Sequence, residues 1–370
     1  VLHDYFVREL VLRAIDQGIW QTTLDTELAG ETTAELTRHR AGGLSRQQLV
    51  DRVPLNRRVL TAADAVIVHT AWTWQCVRER TQAPVARIPH HALIPSLGSR
   101  EDERARLGLP QGAFLIATLG FVATPKRILV LFQAVAGLPA ELKGRTKLLV
   151  VGGVQQVDER ELLALANRLG IAAHVRFTGH VPLGDFAAYA RAADVCVQLR
   201  YPTRGEAPGS LLRAMSSGTA CVISDHGPMA EVPEEAALRV RTPDHEIDDL
   251  RAALRRLDEN PALRNALGQA AVRFLREQHG IDKTVEQYAL MIEETASQRR
   301  SRDALWTERV CESLALRPDS AIPDRLFESW AELRSRGQQA IGSGRQKPRD
   351  RQLLSEPAPQ ASLFVADLAQ

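Results

Sequence analysis

From about residue 64 to residue 241 the chain alternates short, continuous apolar runs with stretches of helical period, and this alternation constrains the fold most tightly. The runs cover residues 64–70, 84–88, 114–120, 147–152, 174–178, 194–199, 220–224 and 238–240, with helical periods at 125–135, 159–169 and 182–192 between them. A strand that is apolar throughout is buried on both faces, which calls for a parallel sheet with helices on either side. The pattern therefore predicts an α/β, doubly wound architecture. Ligands of such sheets sit beyond the carboxyl ends of the strands. His3, Gly120, Gly152 and Glu206 all fall at or just past a predicted strand end.

The chain has 370 residues, enough for two domains, and a formal net charge of +2, so any anion site must be local. That balance gives no whole-chain argument for nucleic acid or a membrane. Cys76, Cys196, Cys221 and Cys311 are far apart in sequence and form no C-x-x-C. Cys196 and Cys221 lie inside apolar runs, which fits buried free thiols in a reducing cytosol better than a disulfide or zinc site. No apolar run reaches the roughly 18–20 residues that span a bilayer. The expected location is the cytoplasm, with peripheral association at the inner membrane face still open.

Residues 92–110 carry Pro95, Gly98 and a charged stretch and read as a linker. Residues 246–257, 261–278 and 282–300 read as amphipathic helices, with Pro261 suited to a first turn. Residues 301–340 read as one or two further helices anchored by Trp306, Phe327 and Trp330. Residues 341–370 are rich in Gly, Ser, Pro, Gln and Arg and read as a disordered tail.

The segment 200–224 carries the most chemistry. A lone acid, Glu206, precedes a Pro208-Gly209 turn, a short amphipathic helix, a stop at Gly218 and an apolar strand. Ser210 reads as the helix N-cap and Gly218 as the C′ residue. A helix start with open amides and a positive dipole end suits a phosphate. An acid beside it suits a sugar hydroxyl of the same ligand. An ordinary strand–loop–helix connection with a surface Glu is the other reading of the same residues.

This segment resembles the donor-site signature of family-4 glycosyltransferases of the GT-B fold, with the match running from Ala214 to Val222. The likeness extends in order through about residues 60–295. It includes 114–120, Pro125-Lys126, 148–153, 175–180 and 189–195. The resemblance implies two Rossmann-like doubly wound parallel-sheet domains facing a cleft, with a helical C-terminal extension. It divides the chain into an incomplete acceptor-side domain (1–96), a linker (97–111), a nucleotide-sugar domain (112–281), a crossover helix (282–300), a helical extension (301–340) and the tail (341–370). In the family, strands and a glycine-rich acceptor loop precede the strand that His3 ends, so a start at Val1 implies that an N-terminal segment is missing.

The resemblance also assigns roles. Lys126 matches the family's diphosphate-binding lysine, with Arg127 beside it. Glu206 matches the acid that contacts the donor sugar, while Gly209 and Ser210 offer amides to the distal phosphate. His3 resembles the histidine that lines the donor–acceptor cleft. Gly120, Arg204 and Arg213 are further donor-binding candidates. Each has a plainer reading: solvated charges at a helix start, a structural histidine, and, for the His90-His91 pair, an interdomain turn. Two positions depart from the family. Phe121 stands where an Arg usually follows the glycine, and Arg213 stands where a second acid usually holds the ribose, so an acceptor has become a donor. No H-E-x-x-H, D-x-D or clustered metal ligands occur, and Gly152-Gly153 lacks the rest of a dinucleotide fingerprint. The expectation is a retaining, metal-independent transferase with no cofactor. Its donor would be a nucleotide sugar and its acceptor a glycan, lipid or small-molecule hydroxyl. Rivals are a nucleotide-sugar epimerase or phosphorylase on the same fold, and a catalytically weak binding or scaffold module.

Overall fold

The structure, a computed structural model, describes residues 1–20, 22–31, 37, 41–43, 52–154 and 158–313. Contacts divide the chain into two compact units. The first comprises Val1–Ile67, Cys76–Ala86 and the described residues from Tyr288; the second comprises Val68–Gln75 and Arg87–Gln287.

In the first unit, strands β1 (Val66–Val68) and β2 (Val85–Arg87) pair as a two-stranded sheet whose last residues belong to the second unit. The Leu2 amide donates to the Ile67 carbonyl (2.9 Å), which sets His3 just beyond that contact. A buried polar stitch joins remote segments: the Asn56 amide donates to the Tyr5 carbonyl (2.9 Å), Arg80 Nε donates to Asn56 Oδ1 (3.0 Å), and Arg80 pairs with Glu31. Burial pushes the Tyr5 phenol up to about 12, against the opposing pull of Arg80.

The second unit holds a six-stranded parallel sheet of β3 (Phe114–Leu119), β4 (Thr146–Val151), β5 (Val175–Gly179), β6 (Val195–Gln198), β7 (Ala220–Ser224) and β8 (Leu238–Val240), in the order β5-β4-β3-β6-β7-β8. Alternate residues serve opposite faces. Phe114, Ile116, Leu148, Val150, Val195 and Val222 meet the helices Ile128–Ala136, Glu159–Arg168 and Glu246–Glu259. Leu115, Leu119, Leu149, Cys196, Cys221 and Ile223 meet Leu183–Ala192, Gly209–Ser216 and Pro261–Gln278. The apolar runs read from the sequence are thus strands covered on both sides. Cys196 and Cys221 are register partners on neighbouring strands, both unbridged and buried. Burial raises both thiols, Cys221 to about 12.

Two expectations change. Residues 97–111 are not a free linker. Ser99 and Asp102 form a capping box that starts a helix, Arg100–Arg106, and the buried Arg104 ties this helix to the sheet. Its Nη2 donates to Asp194 Oδ2 (2.7 Å), while Nε donates to the Ala192 carbonyl (2.8 Å) and Nη1 to that of Gln111 (2.7 Å). The same Asp194 oxygen accepts the Leu115 amide (2.8 Å), and the Asp194 amide returns a bond to the Leu115 carbonyl (2.8 Å), joining β3 to the start of β6. The second change is at the other end. One helix, Ile281–Ser313, runs unbroken through the boundary expected at residue 300. The Trp306 side chain, Phe327, Trp330 and the 341–370 tail lie outside the described residues.

Removing one partner of a buried, hydrogen-bonded ion pair strands the other charge, which typically costs about 3–5 kcal/mol. Asp194→Ala should lower unfolding free energy by about that amount in urea titrations. A loss below about 1 kcal/mol would show that the clasp is dispensable.

Candidate functional site

The strand order reverses between β3 and β6, since β4 and β5 add on one side and β7 and β8 on the other. That switch point opens a crevice at the carboxyl ends of β3 and β6, where two connections leave in opposite directions. The chain leaving β3 turns at Gly120 (φ +91). A Cβ there would stand 2.5 Å from the Lys126 ammonium and 3.3 Å from Ser210 Cβ, so only glycine allows the three to meet.

Lys126 closes a 3₁₀ turn, Thr124–Lys126, and is only 8% exposed. Its Nζ donates to the Leu119 carbonyl (2.5 Å), the one hydrogen bond this three-donor group makes among the described residues. Burial holds its pKa well below the usual lysine range. The nearby Arg200 guanidinium lowers it further, and Glu206 pulls the other way. A buried cation with two donors to spare and a second cation nearby has the electrostatics of an anion site.

The chain leaving β6 supplies the other half. Glu206 Oε1 accepts from Arg200 Nε (2.9 Å); Oε2 accepts from the Arg204 amide (2.8 Å) and the Thr203 hydroxyl (3.3 Å). The loop is clamped from outside: Tyr201 N donates to the Pro125 carbonyl (2.9 Å), Arg200 N to Ser224 Oγ (2.9 Å), and Thr73 Oγ1 to the Gly205 carbonyl (2.6 Å). The helix Gly209–Ser216 then starts beside Gly120 and directs its first amides and dipole there.

Known proteins resemble this chain in sequence and fold. Residues 99–274 match the family model described as glycosyl transferases group 1. This part of the chain belongs to that family. A relative from Thermomonospora curvata, D-inositol 3-phosphate glycosyltransferase, is 33% identical over 256 residues, covering 64% of this chain and 58% of the relative. The chain therefore spans a little over half the length of such relatives. Among solved structures, sucrose-phosphate synthase from Thermosynechococcus elongatus aligns at TM-score 0.58 and 22% identity, covering 74% of this chain and 67% of that one. The Anabaena protein HepE in complex with UDP-glucose aligns at TM-score 0.56 and 18% identity, covering 69% of each. The fold is GT-B.

Within the group 1 domain, Gly120, Lys126, Ser210 and the Arg200–Glu206 pair gather in one place, with Gly209 at the head of the helix and Arg204 holding Glu206 through its amide. One expectation changes, and three of the candidate residues have partners within the chain. Ser210 is not the N-cap: that position is Pro208, without a side-chain cap, and the Ser210 hydroxyl donates to Gln198 Oε1 (3.0 Å). Arg127 turns away in a left-handed conformation (φ +55) and bonds the buried Glu246 (Nε to Oε2, 2.8 Å), with its guanidinium 5.8 Å from the Tyr201 ring. Arg213 lies over the Phe186 ring (5.7 Å). Glu206, finally, is already engaged by the protein's own groups. His3 belongs to the first unit, and desolvation lowers its pKa.

Gln198 and Thr73 are site-positioning residues that the sequence did not reveal. Gln198 reads only as the end of an apolar strand, and Thr73 reaches Gly205 across 132 positions. Among the described residues no cluster of His, Cys, Asp or Glu could hold a metal ion, and no helix is long and apolar enough to cross a membrane.

The Arg127 placement has a clear consequence. Arg127→Ala strands Glu246, which is 1% exposed, and should cost about 2–4 kcal/mol of stability while leaving nucleoside-diphosphate affinity within about twofold. Chemical unfolding and calorimetry on the same variant separate the two. A large affinity loss with unchanged stability would return Arg127 to the site.

Proposed function

We propose that this chain is a metal-independent, retaining glycosyltransferase that moves a sugar from a nucleoside-diphosphate donor to a hydroxyl acceptor. The buried Lys126 ammonium carries the reading, because its spare donors and its neighbour Arg200 call for a multiply charged anion at the switch point. In the reaction the bond between the sugar's anomeric carbon and the β-phosphate oxygen breaks, and the nucleoside diphosphate leaves with the electron pair. Lys126, Arg200 and the first amides of Gly209–Ser216 would stabilise that growing charge with fixed dipoles and cations. The acceptor hydroxyl would bond to the same carbon from the face the diphosphate leaves, giving its proton to a leaving phosphate oxygen. Glu206 would orient the donor sugar through its hydroxyls, exchanging bonds to Arg200 and Thr203 for bonds to the substrate. His3 keeps the acceptor-side role that the family resemblance gives it. UDP and UDP-glucose, held by the fold neighbour HepE, are the first donor probes, and the inositol 3-phosphate of the relative's name is the first acceptor to try.

A second reading has its own observation. Glu206 is satisfied by the protein, and Arg213 stacks on Phe186 at the place expected for a ribose-binding acid. A module that binds nucleoside diphosphates without turnover would look like this. Product formation from donor and acceptor by the full-length protein decides between the two, and epimerisation of donor without acceptor would favour neither. Transfer should persist in excess EDTA; loss restored by Mn²⁺ or Mg²⁺ would contradict the cation-and-dipole account.

Lys126 supplies a sharper test. Its pKa is depressed in the free protein, so the folded state binds fewer protons than the unfolded state, and stability rises with pH toward the ordinary lysine range. Bound diphosphate favours the ammonium, so binding should take up a proton, and affinity should fall as pH rises through the window between the free and bound pKa values. Lys126→Met should remove a buried charge and raise the stability of the ligand-free protein by about 1 kcal/mol. The same variant should weaken UDP binding by about 2–4 kcal/mol. Calorimetry in buffers of different ionisation enthalpy, above the titration of the phosphate itself, reads the proton; thermal unfolding reads the stability. Proton uptake that persists in Lys126→Met would assign it elsewhere.

A further inference from the structure

A second concentration of positive charge lies at the opposite end of the same sheet. The residues just before β6 and β7 are Asp194 and the Ser217–Thr219 turn, so this is the amino end of the strands, remote from the Lys126 crevice. Three guanidiniums meet one carboxylate here, with a fourth nearby. Arg104 takes Asp194 Oδ2 in a close bond (2.7 Å), while Arg100 and Arg264 share Oδ1 only loosely, at 3.5 and 3.8 Å. Arg191 completes the group, with Nε on the Gly98 carbonyl (3.3 Å) and Nη1 on that of Ser217 (3.4 Å).

Three acids of the adjoining segments are already committed. Glu103 holds Arg106 and the Gly98 amide, Asp102 holds Ser99, and Asp258 holds Arg145. The Nε atoms of Arg100 and Arg264 are buried without a hydrogen-bond partner among the described residues. Burial lowers the Arg100 pKa; Asp194 opposes that, and Arg104, Arg264 and Arg191 add to it. An arginine cannot relieve such a cost by losing its proton, and a single carboxylate, Asp194, is shared among three of these guanidiniums. The side chains of Arg100 (19% exposed) and Arg264 (12%) still reach solvent, so the group is open at its rim.

We propose that this arginine group is a binding site for a phosphate-bearing anion, seated on the Arg100, Arg191 and Arg264 side of Asp194. A phosphate carries two negative charges and several acceptor oxygens, which matches planar guanidinium forks better than one more carboxylate would. Arg104 keeps its structural bond to Asp194 throughout.

The test uses the full chain. Inorganic phosphate and pyrophosphate are titrated at constant ionic strength against chloride, with melting temperature and calorimetric Kd as readouts. Phosphate should raise the melting temperature beyond chloride. Arg100→Gln with Arg191→Gln should weaken inorganic phosphate binding about tenfold or more, as expected for lost charge-assisted bonds. Lys126→Met should leave that phosphate effect in place. The absence of an effect, an effect unchanged in the double variant, or one abolished by Lys126→Met would each overturn the proposal. If the double variant fails to fold by circular dichroism, Arg191→Gln alone is read by phosphorus NMR titration: weakened phosphate binding supports the site, and unchanged binding overturns it. Phosphatidylcholine vesicles with and without phosphatidic acid distinguish the source. Phosphatidic-acid-dependent sedimentation competed by soluble phosphate marks a lipid headgroup, binding of soluble phosphate alone marks a free phosphate compound, and binding of neither overturns the site.

Discussion

The crevice depends on how closely two backbone turns approach each other. Gly152 leaves β4 at φ +130, and a Cβ on it would lie 2.7 Å from the Gly120 carbonyl oxygen. Gly120 in turn has no room for a side chain because the Lys126 ammonium occupies that space. Two absent methyl groups therefore let the ends of β3 and β4 close together and let a lysine fold back over the strand it has just left. The Gly120 amide seals the approach by donating to the Val151 carbonyl (2.8 Å). The main chain thus leaves room for a positive charge where burial disfavours it, and the Leu119 carbonyl holds it there.

That charge is complemented from across the switch point rather than from its own loop. The family resemblance leads one to expect a cation directly after Gly120, but Phe121 is there, 45% exposed. Arg200, from the end of β6, stands near enough to lower the Lys126 pKa, and Glu206 keeps its guanidinium in place. The two strands on either side of the reversal thus each contribute one cation, so the pair exists only when β3 and β6 are neighbours.

Most of the second unit was legible in the sequence because strands buried on both faces leave a local signature. All six runs from Phe114 onward became strands within a residue or two of their expected ends, and the helix Pro261–Gln278 kept its bounds. Side-chain partners were less legible. Arg127 follows Lys126 in sequence, yet its left-handed backbone swings the guanidinium toward Glu246, which lies 119 positions away. Ser210 looked like a cap because Ser before a helical period usually is one, but the helix begins two residues earlier than that reading implies, and the Ser210 hydroxyl donates to Gln198 instead. The helix Arg100–Arg106 was hidden by its charge, since its anchor is an arginine that counts as surface in any hydropathy pattern. Local periodicity records burial by apolar atoms; it carries no trace of polar contacts made across a hundred residues.

The paired thiols of Cys196 and Cys221 bear on how the second unit can be observed. They sit side by side on β6 and β7 under helices on one face of the sheet, and burial keeps both protonated. Alkylating reagents need a thiolate and a path to it, and neither exists while the sheet is closed. Modification of these two sulfurs can proceed only as fast as the central strands part, whereas Cys76, partly exposed, answers to more local motion. The chain thus carries its own stopwatch for opening of the sheet, readable by mass alone.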